Sequence, residues 1–195
     1  MKHFFTVIFI AVALFSTYHI IRNSYEKKID KYQKSISESV GKARFLEHQL
    51  NIQSKLFNTE LNETKLWKYN CTTSTLDEIV QYPCLIIYIP NSDNICGSCI
   101  DYSFKSVQDV FENNMNSKHI AIITMSYFPN LNPRIIKKEI FNLNGKSELI
   151  SSENSNPIYL LINEEKKIIS CYIPNIKWNK ETLNYLEGVK DFLEK

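Results

Sequence analysis

Cys84-Leu85-Ile86-Ile87-Tyr88-Ile89-Pro90, followed after a short loop by Cys96-Gly97-Ser98-Cys99, is the stretch that decides the fold of this 195-residue chain. Six consecutive apolar residues stopped by a proline suit a strand buried on both faces. Asn91-Ser92-Asp93-Asn94 reads as a loop, and Tyr102, Phe104, Val107, Val110 and Phe111 recur at helical spacing behind the cysteines. Two thiols three positions apart therefore stand at the start of a helix that follows a core strand. Amides at a helix N-terminus are unsatisfied and carry partial positive charge, which favours a thiolate there. Cys96 is the candidate attacking thiol. Cys99, one turn on, is the candidate resolving thiol, which attacks the mixed disulfide and releases product.

Downstream, His119-Ile120-Ala121-Ile122-Ile123-Thr124-Met125 predicts a second buried strand, and Ile135 to Leu143, behind Pro133, predicts a helix. Ile158 to Ile162 and Lys167 to Tyr172 flank the polar turn Asn163-Glu164-Glu165-Lys166, giving two further strands. Leu183, Leu186, Val189, Phe192 and Leu193 lie near one face of a closing helix over 180–194. The order β–α–β–α–β–β–α predicts an α/β domain with a parallel part and an antiparallel edge.

Upstream, Phe4 to Ile21 contain no Lys, Arg, Asp or Glu. As a helix these eighteen residues would cover roughly 27 Å, close to the hydrocarbon thickness of a bilayer. Residues 1–21 are expected to be an uncleaved signal anchor. The competing reading is a cleaved signal peptide, but the small-x-small pair Ala11 and Ala13 would cut the apolar run too short. Residues 22–66 predict a helical stalk. From Tyr25 to Thr64, steps of four and three pass through Tyr25, Ile29, Tyr32, Ile36, Ser39, Ala43, Leu46, Leu50, Gln53 and Phe57. That stripe allows a homo-oligomeric coiled coil, weakened by its polar positions, or a single solvated helix. Residues 67–195 form the predicted domain.

Composition removes several classes. The net charge of +2, from 23 basic and 21 acidic residues, argues against a nucleic-acid partner. Four glycines and no GxGxxG or GxxxxGK[ST] leave no phosphate loop. Five cysteines are an odd number, so at least one thiol is unpaired. Cys71, Cys84, Cys171, His48 and His119 show no zinc-ligand spacing, so no metal or other cofactor is expected. Cys84 and Cys171 read as inert strand thiols, Cys71 as a loop thiol and His119 as structural. A purely structural Cys96–Cys99 bond is disfavoured, because so short a loop contributes little chain-entropy stabilisation.

The strand, the Cys96-Gly97-Ser98-Cys99 motif and Asn156-Pro157 directly before Ile158-Tyr159-Leu160-Leu161-Ile162 together resemble the thioredoxin superfamily. With the leading anchor and Leu76-Asp77-Glu78-Ile79, the chain is similar to the TlpA/ResA-type membrane-anchored thiol–disulfide oxidoreductases. The resemblance covers residues 67–195 and implies a thioredoxin-like fold, a central mixed sheet flanked by helices. It implies a redox disulfide between Cys96 and Cys99, and a cis Pro157 beside it that binds the substrate backbone. Ile95 and Ser98 stand where the family usually has Trp and Pro, and no acidic residue lies on the preceding strand. The implied function is reduction of protein disulfides outside the cytoplasm, periplasmic or at the cell surface. Protein thiols and disulfides, an electron donor and the membrane are the implied partners. The flanking charge, with Arg22, Lys27, Lys28, Lys31 and Lys34 after the apolar run, points instead to a cytoplasmic domain. The alternative function is a non-catalytic anchored interaction module. Peroxide reduction is disfavoured: Pro90 lies six residues before Cys96 where a peroxidatic motif has seven, and Asp93 takes the Thr or Ser place.

Overall fold

The computed structural model describes residues 2–60, 66–67, 73–90, 96–112, 117–125, 139–143 and 156–194, with side chains from Leu14 onward. It contains two compact units, residues 1–48 and 49–195. One helix, α1 (Lys2–Leu56), holds the described residues of the first unit, and its last residues belong to the second. No proline interrupts it. In the first unit Tyr25, Ile29, Tyr32, Ile36 and Leu46 are all exposed, and Arg22 pairs with Glu26 one turn on at 2.8 Å. Such an exposed i,i+4 pair is screened by solvent and adds little to stability.

Among the described residues no helix is long and apolar enough to cross a membrane. Ten of the eighteen residues of the expected anchor, Phe4 to Ala13, lie outside the residues whose side chains are described.

The helix expected to reach Thr64 ends at Leu56. Asn58 adopts a left-handed φ of 63°, which Asn tolerates better than most residues. Its amide donates to Ile168 O at 2.8 Å, and the Ile168 amide donates to Thr59 O at 3.0 Å. Glu60 then bridges to Lys167 in antiparallel sense. Pairing with a strand end wins here over the helical periodicity. Residues 61–65 lie outside the described residues.

The second unit is built on a seven-stranded sheet in the order β2-β1-β5-β4-β3-β6-β7. The strands are β1 (Leu66–Trp67), β2 (Thr73–Ser74), β3 (Cys84–Ile89), β4 (Ile120–Thr124), β5 (Ile140–Asn142), β6 (Ile158–Ile162) and β7 (Ile168–Tyr172). Among the described residues the unit also holds the helices α2 (Leu76–Ile79), α3 (Gly97–Phe111) and α4 (Asn179–Leu193), with a short 3-10 turn at Ile176–Trp178. β3 is central and every residue of it is buried. It pairs parallel with β4, Leu85 to Ile120 through Ile89 to Thr124, and antiparallel with β6, Cys84 to Ile162 through Tyr88 to Ile158. A strand with neighbours on both sides and packing on both faces has no polar position to offer, hence the unbroken apolar run.

Leu85, Ile87 and Ile89 form one core cluster with Ile100, Phe104, Val107 and Phe111 of α3 and Leu186 and Val189 of α4. The period of two in the strand and of three to four in the helices places both helices on one face of the sheet. Filling this cluster contributes about 1.5–3 kcal/mol per fully buried Leu, Ile or Phe.

The predicted helix over 135–143 is corrected at its end. Ile140–Asn142 is strand β5, parallel to β4 with Ile122 opposite Ile140 and Thr124 opposite Asn142. Asn142 Nδ2 also donates to Trp67 O at 3.1 Å, and the Leu143 amide to Thr124 O at 2.9 Å. Sheet pairing overrides a weak helical pattern of β-branched and aromatic residues. Residues 135–138 lie outside the described residues, and the two-residue strands β1 and β2 were not expected from the sequence.

Candidate active site

β3 delivers the chain to the site. It ends at Ile89 and is followed by buried Pro90; residues 91–95 lie outside the described residues. Cys96 is the N-cap of α3, in extended conformation (φ −73°, ψ 102°). Its carbonyl accepts from the Cys99 amide at 2.9 Å and the Ile100 amide at 3.1 Å, closing the first turn. That turn brings the Cys96 and Cys99 Cα atoms to 5.1 Å, and the two residues are joined as a disulfide. Both cysteines are half-buried, while Gly97 and Ser98 between them are exposed.

The electrostatics favour a thiolate. The first turn of α3 holds no acidic residue to cancel its N-terminal partial charge. Ser98 Oγ lies 3.2 Å from Cys96 Sγ. A hydroxyl at that position can donate to a thiolate sulfur.

Two tyrosine hydrogen bonds hold the helix under the pair. Tyr159 of β6 donates to Ser103 O at 2.7 Å, one turn beyond Cys99, and burial keeps its phenol protonated far above the ordinary range. Tyr102 donates to Asn179 Oδ1 at 2.7 Å, joining α3 to the start of α4. Tyr172 of β7 and Tyr185 of α4 stack at 4.7 Å between ring centroids, joining that strand to that helix. Ser98 was legible only as part of the motif. Tyr102 and Tyr159 read from sequence as core residues, since a tyrosine in an apolar pattern gives no signal of where its hydroxyl points.

Pro157 is buried and immediately precedes β6. The β3–β6 register pairs Tyr88 with Ile158, so Pro157 falls beside Ile89, at the sheet end where α3 begins. The topology thus brings Cys96, Cys99 and Pro157 to one end of the sheet. The expected cis bond is not there: among the described residues the one cis peptide bond is Tyr82–Pro83. Trans is the default for X–Pro bonds by about 0.5–1 kcal/mol.

The remaining thiols behave differently. Cys84 is fully buried in β3, and burial pushes its pKa up to about 12. Cys171 in β7 is pushed up to about 11 by the same cause. Cys71 lies outside the described residues. His119 Nδ1 is 2.7 Å from Pro83 O, at the opposite end of β3 from Cys96. Among the described residues no group of three His, Cys, Asp or Glu side chains is arranged to hold a metal ion.

A mixed sheet with β4, β3, β6 and β7 adjacent, α3 and α4 on one face, and a dithiol pair capping the helix after the central strand decides the fold. The domain is thioredoxin-like. No protein-family model and no curated protein matches the chain. Solved structures similar to this thioredoxin-like chain include a thio-disulfide isomerase from Thermus thermophilus, with 12% identity, 68% of this chain and 95% of that one covered, and a TM-score of 0.41. The exposed lipoprotein thioredoxin Etrx1 from Streptococcus pneumoniae strain TIGR4 gives 11%, 64% and 97%, with a TM-score of 0.42. A peroxiredoxin-like protein from Aquifex aeolicus gives 11%, 68% and 86%, with a TM-score of 0.43. At such low values the functional reading rests on this chain's own residues.

Proposed function

We propose that the chain is a membrane-tethered, extracytoplasmic thiol–disulfide oxidoreductase that reduces protein disulfides through Cys96 and Cys99. The observation that carries this reading is the disulfide at the start of α3, half-exposed and free of acidic neighbours in its first turn. The reduced Cys96 thiolate attacks one sulfur of a substrate disulfide. That S–S bond breaks, a Cys96–substrate bond forms, and the other substrate sulfur leaves as a thiolate and takes up a proton. The Cys99 thiolate then attacks Cys96 Sγ, and the second substrate sulfur departs in the same way. Two electrons pass to the substrate and the Cys96–Cys99 bond is restored. A dithiol donor returns them for the next cycle. Pro157, at the same sheet end, is assigned to the substrate backbone.

Tethering is supported by the uninterrupted helical backbone over Phe4 to Ile21, a run without a charged side chain. Placement outside the cytoplasm is supported by the compartment in which disulfides form and persist.

Reduced full-length protein should reduce insulin disulfides stoichiometrically without donor and catalytically with a dithiol. No reduction by a folded protein would leave the alternative, an anchored interaction module. For placement, protease added to intact spheroplasts should digest the domain while cytoplasmic markers survive. Protection until the membrane is breached would put the domain inside.

A further inference from the structure

The first unit presents an exposed apolar stripe whose spacing its sequence register explains. Placing Ile29 and Ile36 at heptad position a puts Tyr25, Tyr32 and Leu46 at d, and each of these five is at least 47% exposed. Val40, 45% exposed, falls at e and widens the stripe. An apolar seam this long on a helix in water is unfavourable by the area it leaves hydrated. The polar faces flanking it discriminate between occupants. Lys28 and Lys42 fall at g, while Glu26 and Glu47 fall at e.

We infer that α1 pairs in parallel, in register, with α1 of a second copy of this chain, over about three heptads. In a parallel pair each g residue faces the e′ residue five positions on, so Lys42 meets Glu47 of the other copy, twice per dimer. An antiparallel pair would set g against g′ and e against e′, lysine to lysine and glutamate to glutamate. Ser39 at d and Ala43 at a make a narrow waist that weakens the seam. This assignment does not depend on the redox chemistry or on the anchor.

The test is the mass of the full-length protein in detergent, with bound detergent subtracted. Wild type should sediment at twice the 22.9 kDa chain mass. Ile29→Lys/Ile36→Lys should run at the mass of one chain, and Ser37→Lys, off the seam, should stay at two. Lys42→Glu should lower the dimer fraction several-fold, and Lys42→Glu/Glu47→Lys should restore it. Protection of Cys84, buried in β3, from alkylation checks that each variant's second unit is folded. A one-chain mass for wild type overturns the proposal, whatever then covers the stripe, lipid or another protein. So does a mass of more than two chains, a dimer that survives Ile29→Lys/Ile36→Lys, or a charge swap without rescue. Because the readout is chain mass, a failure here leaves the oxidoreductase and anchor readings where they stood.

Discussion

Cys96 and Cys84 sit at opposite ends of one short piece of chain, twelve residues apart, and their chemistry differs because their surroundings do. Cys84 lies inside β3 with no exposed surface, where ionising it would leave a charge without water or a partner. Cys96 caps a helix, half-exposed, with a serine hydroxyl 3.2 Å from its sulfur. Cys171 repeats the strand condition in β7 and Cys99 the helix condition one turn into α3. The same side chain is thus a core hydrophobe in the sheet and, on the proposed function, a nucleophile at its end. Position relative to the sheet decides which.

The largest expected effect separates the two pairs by activity. Cys96→Ser should lower disulfide exchange by at least about 10³-fold, the scale of losing a nucleophile. Cys99→Ser should trap mixed disulfides visible on non-reducing gels, and Cys84→Ala should leave the rate per folded molecule unchanged. A Cys84→Ala loss of rate equal to that of Cys96→Ser would erase the distinction.

Next comes reactivity in the reduced protein. At neutral pH Cys96 should be alkylated at least about tenfold faster than Cys99, and Cys84 and Cys171 should label only after denaturation. Mass spectrometry of peptides resolves the four sites. Equal rates for Cys96 and Cys99 would remove the division of labour between them.

Gln49 allows the strand side to be loosened on purpose. Its buried side chain donates from Nε2 to Cys171 O at 2.6 Å and accepts from the Ile173 amide at 2.8 Å. Gln49→Leu leaves both backbone groups unpaired, a cost of about 1–3 kcal/mol for each. Local opening at β7 should then raise Cys171 labelling by at least about 30-fold while Cys84 labelling follows global stability. Unchanged Cys171 labelling would show that the thiol is guarded by packing alone.

The smallest effect is a pH slope. Both strand thiols have folded pKa values raised above the ordinary 9.0. The unfolded chain therefore loses these protons first as pH rises. Their contribution to stability is complete below about pH 9 and is lost as pH rises toward 11 for Cys171 and 12 for Cys84. The slope is at most about 1.4 kcal/mol per pH unit for each thiol. Urea midpoints at pH 8 and pH 10 should differ less in Cys84→Ala than in wild type. An equal difference would mean that Cys84 does not titrate in this window.

The parts of the fold that were legible share a cause. β3, β4 and β6 are buried on both faces, so burial wrote unbroken apolar runs; α3 and α4 are buried on one face, so it wrote a helical period. The cysteine pair was legible because its position after β3 coincided with that change of period. What was missed depends on distant partners. Ile140 to Asn142 became a strand because Ile122 to Thr124 lies beside it, and α1 stopped at Leu56 because β7 offered hydrogen bonds to Asn58 and Thr59. Neither partner is visible in the local pattern. The trans Asn156–Pro157 bond was missed for another reason, since the cis expectation came from a resemblance and not from these residues.

The hydrogen bonds that Asn58 to Glu60 and Gln49 make to β7 have a practical consequence. β7 is the last strand of the sheet, and its outward amides and carbonyls would otherwise invite a strand from a neighbouring molecule. Residues 49–60 occupy that margin from within the same chain. A protein cut at residue 67, where the sequence alone places the start of the domain, keeps strands β2 to β7 and the Cys96–Cys99 pair yet loses Leu66 of β1 and leaves this flank bare. It should precipitate on concentration, where one starting before Gln49 stays dispersed.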